Sequence, residues 1–323
     1  MLDVVVVGSF VQDFAFATPV FPAPGETRIG RFKTGPGGKG FNQAVAANRQ
    51  EARSLFIGAC GRDMFGQEAR AFAEREKLRC GFKLIDGEPS GAASIVINEA
   101  AENLIVVALG ANEYLSADHI DQFAGDIRGA RVLVCQMESH LEATVQALRL
   151  ARDAGVTTLL NPAPINEAIT LKVLEPVDIL VPNETEFAFL SQHLLGRSLP
   201  QDYWTADEKT LHEYCRAFDV PTIIITLGAR GCFVSHSDSA PRHTGGLPYY
   251  SVPPENVAPV DTTGAGDAFC GGLAAALAKV GSASLNVACV SATRVAGLST
   301  ESPGTAPAMP TRAAVLKRFG DTA

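Results

Sequence analysis

Short runs of β-branched and aliphatic residues alternate along the chain with segments in which apolar positions recur at helical spacing. This alternation predicts an α/β fold with a doubly wound, mainly parallel sheet and helices on both of its faces. Several runs are apolar almost without interruption, as is typical of strands that are buried on both sides. The predicted strands are Val4–Val7, Leu55–Ala59, Val132–Cys135, Thr157–Leu160, Ile179–Val181 and Thr222–Thr226. The predicted helices include Asn42–Arg49, Gln67–Glu76, Leu141–Ala154, Glu184–Leu194 and Ala268–Lys279.

Two regions interrupt this alternation and predict a small accessory β-sheet. Thr27–Thr34 has the pattern of a short strand, and Ala92–Leu109 has that of a β-hairpin turning around Asn98–Asn103. A small sheet beside a substrate site commonly acts as a lid, and the alternative is a hairpin that extends the edge of the main sheet. We therefore expect an α/β core of residues 1–13, 37–89 and 110–323 and a lid of residues 14–36 and 90–109. A hairpin with two apolar faces would pack on a second subunit, because an exposed apolar edge favours association.

Composition and charge exclude several classes of function. The 323 residues carry a formal charge of −8 without a basic block, which argues against a nucleic-acid partner, because that requires a clustered cationic surface. The seven cysteines are scattered, so we expect buried free thiols in a reducing, cytoplasmic compartment. No apolar stretch reaches the roughly 18 residues of a membrane span, and the N-terminal run lacks the basic flank of a signal peptide.

The stretch GPGGKGFN, residues 35–42, matches the glycine spacing of dinucleotide-binding folds but not its placement. In those folds the glycines occupy the first strand-to-helix turn, whereas here the first predicted strand ends far upstream at Val7. A nicotinamide-dependent dehydrogenase is therefore not expected. A simple cap or turn is one possible role for each polar residue here. As a set they suit a polyhydroxylated ligand: Asp13, Gly37, Gly38, Lys39 and Asn42.

The strongest chemical signal is a loop rich in Thr and Gly that leads directly into a helix of small residues. Gly264, Ala265 and Gly266 can turn successive N–H groups toward one point, which makes an anion site suited to a phosphoryl group. Asp267 falls in the first helical turn and can accept the proton of an attacking hydroxyl. A helix cap is the alternative for an isolated Asp, but the flanking glycines favour the catalytic interpretation. Neither a Walker A motif nor a protein-kinase signature is present.

Three further segments follow predicted strands and are candidates for contacts to a cofactor: Asn161–Pro164, Pro182–Glu186 and Thr226–Gly231. Asn183 can cap the helix that follows it. Glu184 and Glu186 suit the first turn of that helix and could also hold magnesium-bound waters. The Thr226–Gly231 turn either joins two strands or lines a nucleotide pocket.

Together these segments resemble the ribokinase-like (PfkB) carbohydrate kinases along nearly the whole chain. The stretch Gly37–Ala46 is similar to the N-terminal sugar signature of that family, and Asp261–Asp267 is similar to its C-terminal signature. The resemblance implies transfer of the γ-phosphoryl of ATP, with Mg²⁺, to the terminal hydroxymethyl of a pentose, with D-ribose as the preferred acceptor. A nucleoside or other sugar kinase and a catalytically silent sugar-binding protein remain alternatives.

The resemblance also implies roles for individual residues, with Asp267 as the base and Gly264–Gly266 as the anion hole. The sugar would contact Val11, Asp13, Gly37, Gly38, Lys39, Asn42, Ala93, Ile95, Val107, Glu138 and Asp267. ATP would contact Asn183, Thr226, Leu227, Gly228, Ala229, Arg230, Gly231, Gly266, Asp267 and Thr293. A monovalent cation, usually K⁺, would bind Asp261, Thr263, Ser299, Ser302, Gly304 and Ala308, and Glu186 would hold Mg²⁺ through water. Similar family members form homodimers through the lid sheet.

The sequence departs from the family pattern at three positions. Val11 stands where an Asn is usual two residues before the sugar-binding Asp, and the loss of one amide can change substrate preference by a few kcal/mol. Phe41 replaces a small residue, and a place in the core is the alternative for its side chain. Thr293 replaces a larger polar residue on the adenine side.

Overall fold

The computed structural model describes residues 1–100, 102–238, 240, 248–279 and 284–321. In chain order its strands are β1 Val4–Val7, β2 Val11–Ala17, β3 Arg31–Gly37, β4 Ser54–Gly61, β5 Arg79–Ile85, β6 Gly91–Ile97, β7 Asn103–Ala108, β8 Val132–Cys135, β9 Thr157–Leu160, β10 Ile179–Leu180, β11 Thr222–Thr226, β12 Cys232–His236 and β13 Tyr249–Val252. Its α-helices are α1 Lys39–Arg49, α2 Met64–Arg75, α3 Ala117–Asp121, α4 Ala124–Arg128, α5 Leu141–Asp153, α6 Leu171–Leu174, α7 Glu184–Leu195, α8 Glu208–Cys215, α9 Ala265–Lys279, α10 Leu285–Ser299 and α11 Arg312–Phe319.

The main sheet has nine strands in the order β13-β12-β11-β10-β9-β8-β1-β4-β5. The strands from β11 to β5 run parallel, and β12 and β13 add an antiparallel edge. The predicted doubly wound, mainly parallel α/β fold is therefore confirmed. The chain winds away from β1 in both directions, through β4 on one side and β8 on the other. Ligands of such sheets bind beyond the carboxyl ends of the strands, where the order reverses.

The uninterrupted apolarity of the central strands follows from burial on both faces. In β1, Val4 and Val6 belong to one hydrophobic cluster, Val5 and Val7 belong to the other, and all four are fully buried. Phe41 lies in the first of these clusters, with its ring centroid 5.5 Å from that of Phe10. Phe41 is therefore a core residue, which is the alternative that the sequence analysis gave for its side chain.

A separate four-stranded sheet has the order β3-β2-β6-β7, so the hairpin does not extend the main sheet. The strand predicted at Thr27–Thr34 is displaced to Arg31–Gly37, because all seven residues of β3 pair with the seven of β2. That partner strand was not predicted, and it begins at Val11, within the segment 1–13 expected in the core. Ala101, in the predicted turn of the hairpin, lies outside the described residues.

Close contact between α1 and α9 determines the position of the site. A Cβ on Gly271 of α9 would overlap the backbone oxygen of Gln43 in α1, so only glycine allows the two helices to approach this closely. A Cβ on Gly40 would lie 2.7 Å from the backbone of Gly8, so α1 also lies directly against the end of β1. The first turns of α1 and α9 therefore meet beyond the carboxyl end of β1.

Two further expectations can be compared with the fold. All seven cysteines are free thiols, and all except Cys80, which is half-buried, are buried. Within the described ranges, no helix combines the length and the apolarity that crossing a bilayer requires.

Candidate active site

Asp267 lies in the first turn of α9 and is only 6% exposed. Its Oδ2 accepts a hydrogen bond from Asn42 Nδ2, and its Oδ1 accepts one from Gln43 Nε2, each at 2.9 Å. Both donors are neutral amides, so they orient the carboxylate without cancelling its charge. A carboxylate held in a fixed orientation is the arrangement that a general base requires.

The amide contacts continue from Gln43 toward the main sheet. Gln136 Nε2 donates to Gln43 Oε1 at 2.6 Å, and Gln43 Nε2 also lies 3.2 Å from Asn161 Oδ1. Asn161 in turn donates to the carbonyl of Val181 at 2.8 Å. The sequence pattern assigned no role to Gln43. The available signal was a large polar side chain among the apolar residues that follow Asn42 in this helix.

The backbone before Asp267 has the features of an anion site. Gly264 adopts a positive φ of 79°, and α9 begins at the next residue, Ala265. The first N–H groups of a helix have no intrahelical acceptor and carry the positive end of the helix dipole. A Cβ on Gly266 would meet no atom within 4 Å, so open space lies beside these donors.

Glu138 connects the first turn of α1 to the end of β1. Its Oε2 accepts hydrogen bonds from Ser9 Oγ at 2.6 Å and from the backbone N–H of Lys39 at 2.9 Å. Burial alone would lower the pKa of the Lys39 side chain, but the charges of Asp267, Glu138 and Glu186 outweigh burial and raise it. The Lys39 ammonium is thus the positive charge among these carboxylates.

Asp13 projects from β2 toward the same group. Burial is the main effect that raises the pKa of this carboxyl to about 6. A hydrogen bond from Thr305 Oγ at 2.6 Å lowers the pKa, and the negative charges of Glu138 and Asp267 raise it further. A Cβ on Gly37 would overlap the Asp13 carboxylate. A Cβ on Gly38, where φ is 91°, would lie 2.6 Å from the backbone nitrogen of Val11. These two glycines therefore make room for β2 beside the start of α1.

The residues next to Asp13 on its face of the small sheet are apolar. The register places Asp13 beside Ala93, and Ala93 beside Val107. Val11, Ala93 and Ile95 are 5% exposed or less and form one cluster, whereas Val107 is 39% exposed on the edge strand β7. The predicted lid residues therefore share a face with the predicted sugar-binding acid.

Asn183 and Glu186 form a capping box at the start of α7. Glu186 N–H donates to Asn183 Oδ1 at 2.8 Å, and Asn183 N–H donates to Glu186 Oε2 at 2.9 Å. Glu186 is also buried, which raises its pKa, and the charges of Lys39 and Asp267 act on it. The cap predicted for Asn183 is present, and Glu186 serves that cap while facing the charged group.

The predicted adenine-side residues lie beyond Asn183. Asn183 forms a parallel bridge with Thr226, and the Thr226–Gly231 turn is closed by a 2.8 Å hydrogen bond from Leu227 N–H to the Gly231 carbonyl. Gly228 and Gly231 in this turn have positive φ, Ala229 lies between them, and the Arg230 guanidinium stacks over Trp204 at 5.6 Å. Thr293 donates to the Cys289 carbonyl of its own helix, α10, so its hydroxyl hydrogen is already in use.

The residues predicted to bind a monovalent cation lie in two segments joined by Asp261, one before α9 and one that begins at the last residue of α10, Ser299. The Asp261 carboxylate accepts hydrogen bonds from the N–H groups of Thr263 and Gly304, each at 2.9 Å. The second loop folds on itself, with Ser302 N–H donating to Ser299 and Ala308 N–H donating to the Thr305 carbonyl. This second loop also reaches Asp13, through the hydrogen bond from Thr305. The sequence pattern did not predict that the cation loop and Asp13 are in contact.

The chain is similar to known carbohydrate kinases in sequence and in structure. The family model described as pfkB family carbohydrate kinase matches residues 1–312. The ribokinase of Mus musculus is 34% identical over 95% of this chain and 91% of its own length. The deoxyribokinase of Salmonella typhi is 32% identical over 84% of each chain. The structure of Arabidopsis thaliana ribokinase complexed with ribose and ATP superposes with a TM-score of 0.78, at 26% identity over 98% of both chains.

Replacement of Asp13 by Asn is expected to stabilise the ligand-free protein, and increasingly so as the pH rises. The folded-state pKa of about 6 exceeds the ordinary value of 3.8, so this carboxyl favours folding below about pH 4 and loses that contribution as the pH rises through 6. The shift corresponds to at most about 3 kcal/mol at neutral pH. Thermal unfolding of both proteins between pH 4.5 and 8 measures the effect. A melting difference that does not change with pH would contradict the prediction.

Proposed function

The chain belongs to the pfkB family of carbohydrate kinases and is a phosphotransferase with an alcohol acceptor, and we propose that it converts D-ribose and ATP to ribose 5-phosphate and ADP. The observation that carries this proposal is the Asp267 carboxylate, which Asn42 and Gln43 orient beside the open glycine turn at the start of α9. The ribokinase similarity of the whole chain supports the choice of sugar.

In the proposed reaction, Asp267 accepts the proton of the terminal hydroxymethyl of the sugar while the oxygen of that group bonds to the γ-phosphorus. The bond from the γ-phosphorus to the bridging oxygen of ADP breaks in the same displacement. Negative charge on the transferring group is stabilised by the N–H groups of Gly264, Ala265 and Gly266 and by the dipole of α9. The Ala265 N–H donates to the Thr262 carbonyl at 3.2 Å, and in the proposed reaction it would exchange that acceptor for the phosphoryl group. The open side of Gly266 supports this assignment, because it leaves room for a phosphoryl group.

The sugar would lie between the small sheet and the first turn of α1. Asp13 and Glu138 offer carboxylate oxygens, and Lys39 and the backbone at Gly37 and Gly38 line the same place. Asn42 Oδ1 is buried and has no hydrogen-bond partner among the described residues, so it can accept from a sugar hydroxyl. Ala93, Ile95 and Val107 would cover the apolar face of the ring.

ATP would lie between the glycine turn of α9 and the Asn183–Thr226 bridge, with the Thr226–Gly231 turn and Thr293 around the nucleoside. A magnesium ion would neutralise charge on its phosphates. Glu186 suits that ion through water, because it is a carboxylate that faces Lys39 and Asp267, and Mg²⁺ usually binds to proteins through few carboxylates and several waters.

A monovalent cation, K⁺ by family resemblance, would stabilise the two loops that Asp261 joins. The residues fit such an ion in donor type, because Asp261, Thr263, Ser299, Ser302, Gly304 and Ala308 all offer carboxylate or carbonyl oxygens. We also propose a cytoplasmic location, which the free thiols of all seven cysteines support.

A 2-deoxy pentose is the second candidate acceptor, and Val11 favours it. The Val11 side chain is buried with Ala93 and Ile95 on the face that carries Asp13, where it offers an apolar surface instead of an amide. A sugar that lacks one hydroxyl loses no hydrogen bond at such a surface. The 32% identity to the Salmonella typhi deoxyribokinase is close to the 34% identity to the mouse ribokinase.

The proposed reaction is tested by ADP release in the presence of D-ribose, 2-deoxy-D-ribose, hexoses or nucleosides, each with and without K⁺. We expect pentoses to be the best acceptors, and Asp267→Asn to lower kcat by about 10²–10⁴-fold, because the general base is lost. Calorimetric titration of that variant with the pentose should still detect binding. Preferred turnover of a nucleoside, or pentose binding without turnover by the natural protein, would contradict the proposal.

Val11→Asn is expected to raise the preference for D-ribose over 2-deoxy-D-ribose by about tenfold in kcat/KM, the size of one added hydrogen bond. The comparison uses the ratio for the two sugars, so a general loss of activity cancels. Val96→Asn, on the opposite face of the small sheet, is the matched control and should leave the ratio unchanged. An unchanged ratio in the Val11 variant would show that this side chain does not contact the distinguishing hydroxyl.

We further propose a homodimer formed through the small sheet. The outer strand β7 is exposed along its whole length, with Leu104, Ile105, Val106 and Val107 between 39% and 73% exposed on both faces. Phe16 and Phe32 add exposed aromatic surface on neighbouring strands. An apolar edge strand of this kind favours association with another chain.

Val106→Asp is expected to dissociate this dimer, because it places a charge on the most exposed apolar residue of β7, on the face opposite Asp13. Size-exclusion chromatography with light scattering should show twice the mass of one chain for the natural protein and a single-chain mass for the variant. Leu171→Asp, at an exposed apolar position of α6, is the control and should remain dimeric. A natural protein with the mass of one chain would refute the dimer.

A further inference from the structure

Thr305 lies between two parts of the site that are far apart in the sequence. Its hydroxyl donates to Asp13 Oδ2 at 2.6 Å, across 292 positions of the chain, and the residue is 7% exposed. The Pro36 carbonyl lies 3.3 Å from the same hydroxyl, so the shorter contact to the carboxylate is the one that receives its hydrogen. A Cβ on Gly264 would lie 3.6 Å from Thr305 Cα, so Thr305 also borders the anion site. One threonine therefore contacts the acid proposed to bind the sugar and the backbone proposed to bind the phosphoryl group.

The loop that carries Thr305 is held on two further sides. On one side, the N–H of Gly304 donates to Asp261 Oδ2 at 2.9 Å. On the other, Arg49 at the end of α1 donates to the carbonyls of Pro307 and Met309, and Gln50 donates to that of Pro310. Glu76 fixes the Arg49 guanidinium with two hydrogen bonds of 2.6 and 2.8 Å. Thr305 therefore holds Asp13 from a fixed backbone.

Only one of the two carboxylate oxygens of Asp13 accepts this hydrogen bond. Thr305 occupies Oδ2, whereas no hydrogen bond from the described residues reaches Oδ1. A carboxylate with one oxygen fixed and the other available is preorganised to accept from a ligand hydroxyl, because its rotation is already restricted before binding.

We propose that Thr305 is a positioning residue for the acceptor sugar, and that its hydroxyl orients the Asp13 carboxylate so that Oδ1 accepts from a sugar hydroxyl. This inference rests on the proposed function, since it requires that Asp13 binds the pentose. It assigns Thr305 to sugar affinity and not to the chemical step. The effect should therefore appear in the KM of the sugar and not in kcat.

A purely structural role for Thr305 has a different signature. If the hydroxyl served only to fix the loop, its loss would disturb Gly264 on one side as much as Asp13 on the other. The KM for ATP and kcat would then change together with the KM for the sugar.

Thr305→Ser and Thr305→Ala form the decisive pair, because they differ only in the hydroxyl. Binding of the pentose is measured by calorimetry without ATP, and the KM values and kcat by ADP release. We expect the Ser variant to stay within about twofold of the natural protein, and the Ala variant to bind the pentose about tenfold more weakly with kcat and the KM for ATP unchanged. Equal affinities of the two variants, or parallel changes in all three kinetic constants, would overturn the proposal.

The same measurements on Asp13→Ala and on Asp13→Ala with Thr305→Ala test the connection directly. If Thr305 acts through Asp13, its replacement should cause no further loss of affinity in the protein that already carries Asp13→Ala, whereas additive losses would refute the connection. Should Thr305→Ala fail to fold, Thr305→Val takes its place in the cycle. Thr311→Ala is the control, because the Thr311 hydroxyl only caps α11 in the same loop region and should not alter pentose affinity.

These outcomes separate this inference from the proposed function. A natural protein that neither binds nor phosphorylates a pentose contradicts the proposed function. A natural protein that does both, with indistinguishable Ser and Ala variants at position 305, contradicts only the role of Thr305.

Discussion

The site depends on a carboxylate of one helix being held by amides of another. Asp267 belongs to α9, and both of its hydrogen-bond donors, Asn42 and Gln43, belong to α1. Hydrogen bonds of this length require the two helices to touch, and Gly271 permits that contact. The small residues of α9 are thus part of the chemical apparatus, although none of them after Gly266 lies beside the reacting atoms. A helix packed with ordinary side chains would carry the same acid without the amides that orient it.

Charge explains why such a site suits a sugar and a nucleotide. Among the described residues, the Lys39 ammonium interacts with Glu138, Glu186 and Asp267, and it also acts on Asp13. The raised pKa values of Asp13 and Glu186 show that burial of these acids costs free energy in the ligand-free protein. Hydroxyl groups relieve this cost by donating hydrogen bonds, and a magnesium ion relieves it by its charge. For the phosphates of a nucleotide, the glycine turn that starts α9 offers the positive end of the helix dipole.

The sequence predicted the features that follow from a local pattern of apolar residues, and it did not predict the contacts between distant segments. The parallel sheet was predictable because strands such as β1 are buried on both faces and so contain only apolar residues. The strand β2 was missed, because Gln12 and Asp13 interrupt its apolar pattern. Gln12 is buried and donates to Thr34 of β3, and Asp13 accepts from Thr305, so both polar residues have partners that only the fold supplies. The Thr305–Asp13 hydrogen bond spans 292 positions, and no spacing rule relates its two ends. Phe41 was ambiguous because its neighbours in the signature are site residues, and only the aromatic contacts of the fold place it in the core.

The alternation of side chains along β2 gives the two faces of the small sheet different residues. Val11 and Asp13 point to one face, with Ala93, whereas Phe14 and Phe16 point to the other, with Phe32. A shift of one residue in the pairing would exchange these faces, removing the acid from the site and exposing it on the apolar side. In the proposed homodimer, contacts on the apolar face would favour only the pairing that keeps Asp13 in the site. Association and sugar binding would then depend on the same strand register.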